Sequence, residues 1–196
     1  MSPILQTLAN GSAYGYRTLA AAAAGSYESI ATTTLGSSAA SITFSSIPST
    51  YQHLQIRFMS TPTGTTASDE VLYMTFNSVA GTSYTYHEIW GNGASVTANG
   101  VDSLPYTRFI GQSDLTVGSD DAFCVGVIDI HDYKSTSKNK TVRVFSGYDN
   151  NGGGRVNLSS GLFNNTGAIS TIKIERSGST NMAAGSVFSL YGIKGA

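Results

Sequence analysis

The chain has 196 residues and a formal net charge of −1 at pH 7; 40% of the residues are hydrophobic, 10% aromatic and only 12% charged. That is enough apolar material for one core, about half the charged share of an ordinary soluble domain, and too little positive field to steer the chain onto nucleic acid. A single cysteine, Cys124, excludes an intrachain disulfide, and the longest alanine run, Ala20–Ala24, is far too short to cross a bilayer.

Residues 1–25 read as an arm. Leu5 and Leu8 stand at helical spacing, Asn10-Gly11 is a helix-stop or turn signal, and Tyr14, Tyr16 and Leu19 are apolar points among small residues. Alanine favours helix, but five in a row are fewer than an isolated helix needs. The arm is therefore expected to be extended or a short helix, packed on a neighbour or on its own domain. Its opening lacks the charged start and long apolar stretch of a secretion signal. Folding in a reducing cytoplasm is expected. The sequons at Asn10, Asn139, Asn157 and Asn164 are read as chance in an Asn/Ser/Thr-rich chain.

From about Tyr27 the period becomes two. "SITFSSI" sets Ile42 and Phe44 against hydroxyls; "HLQIRFMS" puts Leu54, Ile56 and Phe58 on one face and His53, Gln55, Arg57 and Met59 on the other; "VLYMTFN" repeats this with Leu72, Met74 and Phe76. Such alternation predicts antiparallel strands with one face in a core. Further strands are expected in "SYTYHEIW", "AFCVGVIDIHDY", "TVRVFSGY", "RVNLSSGLF", "STIKIERS" and "SVFSLYGIKG". Turn chemistry separates them at Pro62-Thr-Gly64, Asn92-Gly93, Asn99-Gly100, "DNNGGG" and Asn164-Asn165-Thr-Gly167. Eight to ten short strands without an intervening amphipathic helix predict an all-β fold: an antiparallel β-sandwich of jelly-roll type over 26–196. The strand "SVFSLYGIKG" is apolar on both faces, Phe188 and Leu190 on one and Val187, Tyr191 and Ile193 on the other, which predicts a central or covered position.

Chemistry-bearing groups are sparse. Asp129 and His131 share a strand face while Asp132 points away, giving a pair rather than a metal set. "YDNNGGGR" lacks the spaced oxygens and closing glutamate of a calcium loop and reads as a glycine-rich hairpin. Neither a Gly-x-Ser-x-Gly elbow nor a phosphate-binding loop occurs. No cofactor is expected. Cys124, in an apolar strand, is expected to be a buried thiol. "SYTYHEIWGNG" concentrates Tyr84, Tyr86, Glu88 and Trp90 on one face, with Thr85, His87 and Ile89 on the other. Core packing, a subunit interface and a sugar contact each fit that cluster.

The segment "YESIATTTLGSSAASITFSSIPSTYQHLQIRFMS" (27–60), paired with "GSVFSLYGIKG" (185–195), resembles small structural proteins of tailed bacteriophages, and "TLANGSAYGYRT" resembles their arm segments. The resemblance implies a jelly-roll-like domain and a role in capsid decoration (cement) or in a tail or fibre. It implies a symmetric homo-oligomer, often a trimer, bound to the major capsid protein or other virion proteins, and no catalytic residues. Taken with the near-neutral, hydroxyl-rich composition, the reading is a non-enzymatic capsid decoration protein in the virion, without nucleic-acid or membrane partners. Its interface candidates are Leu5, Leu8, Tyr14, Tyr16, Leu19, Tyr84, Tyr86 and Trp90. The alternatives are a fibre or carbohydrate-binding module contacting host-surface glycan through Trp90, and a hydrolase using Asp129 and His131.

Overall fold

The structure is a computed structural model that describes residues 25–63, 70–112, 122–150, 152–178 and 180–195. Leu5, Leu8, Tyr14, Tyr16 and Leu19, and with them the expected arm up to Ala24, lie outside the described residues. Those described form an all-β sandwich of two antiparallel sheets. In chain order the strands are β1 (Tyr27–Thr34), β2 (Ser41–Phe44), β3 (His53–Ser60), β4 (Glu70–Phe76), β5 (Tyr84–Gly91), β6 (Val96–Leu104), β7 (Thr107–Gln112), β8 (Cys124–Ile130), β9 (Lys140–Asp149), β10 (Gly154–Phe163), β11 (Ile172–Arg176) and β12 (Val187–Ile193).

Eight strands make the large sheet, in the order β1-β12-β3-β8-β9-β10-β5-β6, and four make the small one, β2-β11-β4-β7. Setting aside the hairpins β5–β6 and β9–β10 leaves two four-stranded sheets, β1-β12-β3-β8 facing β2-β11-β4-β7. Along this frame the chain crosses repeatedly between layers. Both hairpins extend the large sheet beyond β8.

The core lies where the alternating apolar positions predict it. Leu54, Ile56 and Phe58 of β3, Ile128 and Ile130 of β8, and Phe188 and Leu190 of β12 meet Ile42, Phe44, Leu72, Met74, Phe76, Phe109, Ile172 and Ile174 from the small sheet. Each such side chain contributes about 1.5–3 kcal/mol by leaving water. Cys124 is fully buried among them. At the far end of the core Tyr84 stacks on Phe163 with ring centroids 4.9 Å apart. Its hydroxyl accepts the Phe76 N–H at 2.9 Å and lies 3.2 Å from the Val79 carbonyl, to which it donates. The polar tip thus satisfies backbone where β4 ends.

The doubly apolar C-terminal segment is an interior strand. β12 lies between β1 and β3, and Gly192 lets the Tyr51 ring lie on it, since a Cβ there would sit 2.3 Å from that ring. Tyr51 Oη donates to Glu28 at 3.0 Å, Lys194 Nζ donates to the same carboxylate at 2.6 Å, and the Lys194 N–H reaches the Ser26 carbonyl at 2.9 Å. The start of β1 and the end of β12 are locked together.

Three strands depart from the sequence reading. β1 alternates weakly because a register irregularity between Ser29 and Ala31 breaks the period. β7 is a six-residue strand, "TRFIGQ", too short to show its own rhythm. Asn99-Gly100, expected to be a turn, lies inside β6 opposite Glu88 and His87. Glycine is used there for close approach, since a Cβ would come within 2.4 Å of the His87 ring. The turn signal that operates is Asn92-Gly93: Gly93 has φ 88°, and Asn92 Oδ1 accepts the N–H groups of Ala94 and Ser95.

Candidate assembly surface

Cross-strand partners share a face of a sheet, so the strand registers lay out the outer side of the large sheet in rows. The first row runs Thr34, Val187, Met59, Val125, Gly147, Val156, Gly91, Val96. The second runs Thr32, Ser189, Arg57, Val127, Phe145, Leu158, Ile89, Ala98, and the third Ser29, Tyr191, Gln55, Asp129, Arg143, Ser160, His87, Gly100. From β3 to β6 the first two rows are apolar except at Arg57.

These residues are open to solvent. Among the exposed large side chains the values run from 38% at Met59 to 72% at Val96, with Phe145 at 60%, while Val127 is half-buried. Six strands at about 4.8 Å spacing make the apolar band roughly 24 Å wide, a contiguous patch of the kind that marks an interaction site. Two shallow depressions cross it. One is lined by Arg57, Val125, Val127, Phe145 and Val156, the other by His87, Ile89, Ala98, Arg143 and Leu158.

The third row supplies a polar border. Arg143 donates to Asp129 at 2.8 Å and Gln55 Nε2 donates to the other carboxylate oxygen at 2.8 Å. Burial raises the Asp129 pKa, but the hydrogen bonds from Arg143 and Gln55 outweigh it and hold the carboxyl below its ordinary range. The end of the sheet beyond that row is tied by Asp132, which accepts from Lys138 at 3.0 Å and from Gln52 at 2.5 Å. Those two bonds lower its pKa. His53 Nδ1 accepts the Asp132 N–H at 3.0 Å.

Beneath the β9, β10 and β5 part of the apolar band the inner side carries several polar groups. Glu88 is buried and receives Arg108 of β7 at 2.5 Å, and the guanidinium carbon stands 4.4 Å from the centre of the Tyr86 ring. Asn157 Nδ2 donates to Glu88 at 3.5 Å. Asn157 Oδ1 and the hydroxyls of Ser146 and Ser159 are buried without a hydrogen-bond partner, an arrangement that costs stability. At the frame side of the same hairpin the Lys140 side chain is fully buried, with its ammonium donating to the carbonyls of Ser135 at 2.7 Å, Thr166 at 2.6 Å and Asn165 at 3.3 Å. Burial lowers its pKa.

The aromatic strand singled out from sequence points inward. Tyr84, Tyr86, Glu88 and Trp90 do share one face, as expected. Tyr84 and Tyr86 are buried within the chain's own interior, and burial raises both of their pKa values. Trp90 is half-buried with Arg155 3.6 Å from its ring centre. The side of β5 that meets solvent carries His87 and Ile89. Phe145, Leu158, Val125, Val156 and Val96 were not among the sequence candidates, although a signal was present. The adjacent apolar pair Val144-Phe145 breaks the alternation of β9, which sends Val144 inward and Phe145 outward.

Asp129 and His131, the remaining candidates, share no hydrogen bond. Asp129 is engaged by Arg143, while His131 stacks edge-on against His53 at 5.0 Å between ring centres. Among the described residues no three His, Cys, Asp or Glu side chains gather in a way that could hold a metal ion. The Gly-rich hairpin closes between β9 and β10 through the Asn150 side chain, whose Oδ1 accepts the Gly153 N–H at 3.0 Å. Tyr106 has its hydroxyl pKa pushed up to about 12 by a hydrogen bond with Tyr73, on which it stacks at 3.6 Å. Compared with protein-family models, with curated proteins and with solved structures, the chain matches none.

Proposed function

We propose that this chain is a non-enzymatic structural protein of a tailed-phage virion, a capsid decoration protein that binds the shell as a symmetric oligomer. The frame β1-β12-β3-β8 over β2-β11-β4-β7 supports reading the sandwich as a jelly roll, with two hairpins inserted into one sheet. The observation that carries the assembly reading is the apolar band across β3, β8, β9, β10, β5 and β6. A sheet face of that width is stable in water only at the cost of leaving Phe145, Leu158 and Ile89 uncovered. Among the described residues, Arg143–Asp129 and Arg108–Glu88 are charged groups engaged in structural pairs.

The test is co-sedimentation of the purified chain with capsid shells assembled without it. Saturable pelleting, with copy number tied to the lattice, is the expected result; a chain that stays in the supernatant at every concentration overturns it. The sugar-binding alternative draws little support from β5, because Arg155 lies over the one ring that keeps partial exposure. Specific glycan binding lost in Trp90→Ala would reinstate that alternative.

A further inference from the structure

We infer that the outer face of the large sheet between β3 and β6 packs against the same face of a second copy of this chain, related by a two-fold axis. The inference rests on the reading of the chain as an assembly protein and names the surface and geometry involved.

Size comes first. The apolar band is roughly 24 Å wide and, with its polar border, three residue rows tall, about 14 Å between the outer rows. Counting the rims, such a face presents on the order of 600–800 Å², close to what each partner commits to a standard interface. Charge is next. The ionised groups in these three rows are Arg57, Arg143 and Asp129, with Arg143 bonded to Asp129, and Asp149 lies one row beyond the first, so the charges balance. Phosphate-rich or lipid surfaces call for clustered basic residues, so the partner's surface is apolar and nearly neutral. The chain's own band has that chemistry.

The rows are also complementary to themselves. Take a two-fold axis lying between two facing sheets, running across the strands midway between the first and second rows. It turns each row onto the other while keeping every strand over its counterpart, compatible with aligned sheet packing about 10 Å apart. Phe145 of one copy then stands over Gly147 of the other, Ile89 over Gly91, Leu158 over Val156, Val127 over Val125 and Ala98 over Val96. The two largest mismatches pair a bulky residue with a glycine. The same operation carries the third row outward. Arg143 then faces Asp149, which follows it by six residues on the same side of β9, so opposite charges meet at the rim. An isologous contact of this kind needs only one patch.

The experiment is sedimentation velocity on the full chain from micromolar to 100-micromolar concentration (on the order of ordinary interface affinities). The wild type is expected to form dimers or assemblies built from them. Phe145→Asp combined with Leu158→Lys, both at exposed positions, is expected to give a monomer with unchanged circular dichroism. Arg143→Asp should weaken self-association by about tenfold, and adding Asp149→Arg should restore it, a rescue that misfolding cannot imitate. A monomeric wild type overturns the inference. So does an oligomer indifferent to all these substitutions, which would place the contact elsewhere, for example on the open edge of β6. A monomer that still binds capsid shells through Phe145 and Leu158 overturns the second-copy inference and leaves the virion reading standing. A dimer dissolved by these variants that never binds shells upholds the inference and removes the virion reading.

Discussion

The two ends of the large sheet divide polar and apolar side chains between their faces differently. Around β1, β12 and β3 the outer side mixes Thr32, Thr34, Ser189, Gln55 and Arg57 with Val187, Met59 and Tyr191, above an inner layer dominated by Leu54, Ile56, Phe58, Phe188 and Leu190. Around β9, β10 and β5 part of each strand is turned over: Phe145, Val156, Leu158 and Ile89 lie outside, while Ser146, Asn157, Ser159 and Glu88 lie within beside the buried Val144 and Tyr86. Alternation records which side of a strand is to be covered. The frame strands are patterned for the small sheet of their own chain; the outer halves of the inserted hairpins are patterned for a cover on the other side.

The sharpest way to break this comparison uses one residue type in two places. Phe188→Ala, at a fully buried position of β12, is expected to cost about 3–5 kcal/mol by urea denaturation. Phe145→Ala, measured at concentrations low enough to keep copies apart, should cost less than about 0.5 kcal/mol. Similar losses at both sites would mean that Phe145 already belongs to the chain's own core. An intermediate effect is expected at the polar interior of the hairpins. Glu88→Ala leaves the Arg108 guanidinium facing Tyr86 and Asn157 without its carboxylate, with an expected loss of about 2 kcal/mol. Thermal unfolding that does not shift would show that this pair is dispensable.

The smallest effect concerns acid. Asp129 and Asp132 have folded-state pKa values below the ordinary range. Their contribution is therefore present above the unfolded value of about 4 and is lost as pH falls through the lowered folded values. Melting temperature should be level from neutral pH to about pH 5 and then decline, by a free energy of about 1 kcal/mol or less per group because both are partly screened. Asp129→Asn should flatten part of that decline; an unaltered pH profile would remove Asp129 as a contributor.

The fold class was legible because frame strands such as β3 and β4 keep their period and bury the residues that the rhythm nominates, while β12, apolar on both faces, takes an interior place. β6 was not legible. All of its side chains but Leu104 are exposed, so no face was selected for greasiness, and Asn99-Gly100 imitated a turn. The outer patch was hidden for a related reason. Periodicity shows that Val144 and Phe145 lie on opposite faces, but along β9 the apolar residues pass from the buried side (Val142, Val144) to the exposed one (Phe145), and only strand order reveals which residues line up with Phe145. Aromatic density pointed to β5, whose rings turned out to be packing inward under Arg108 and Arg155. For a surface whose Val, Leu and Ile come from four separate strands, the break at Val144-Phe145 is a local trace too small to outline it.

The place of β12 has a consequence for how the molecule is made. Its partners β1 and β3 are supplied more than a hundred residues earlier, and the sheet has a gap between them until this strand arrives. A nascent chain therefore emerges with two unpaired edges and cannot zip the sheet from one end as it leaves the ribosome. Shielding those edges during synthesis, rather than after release, is the step at which this architecture is most exposed to misassembly.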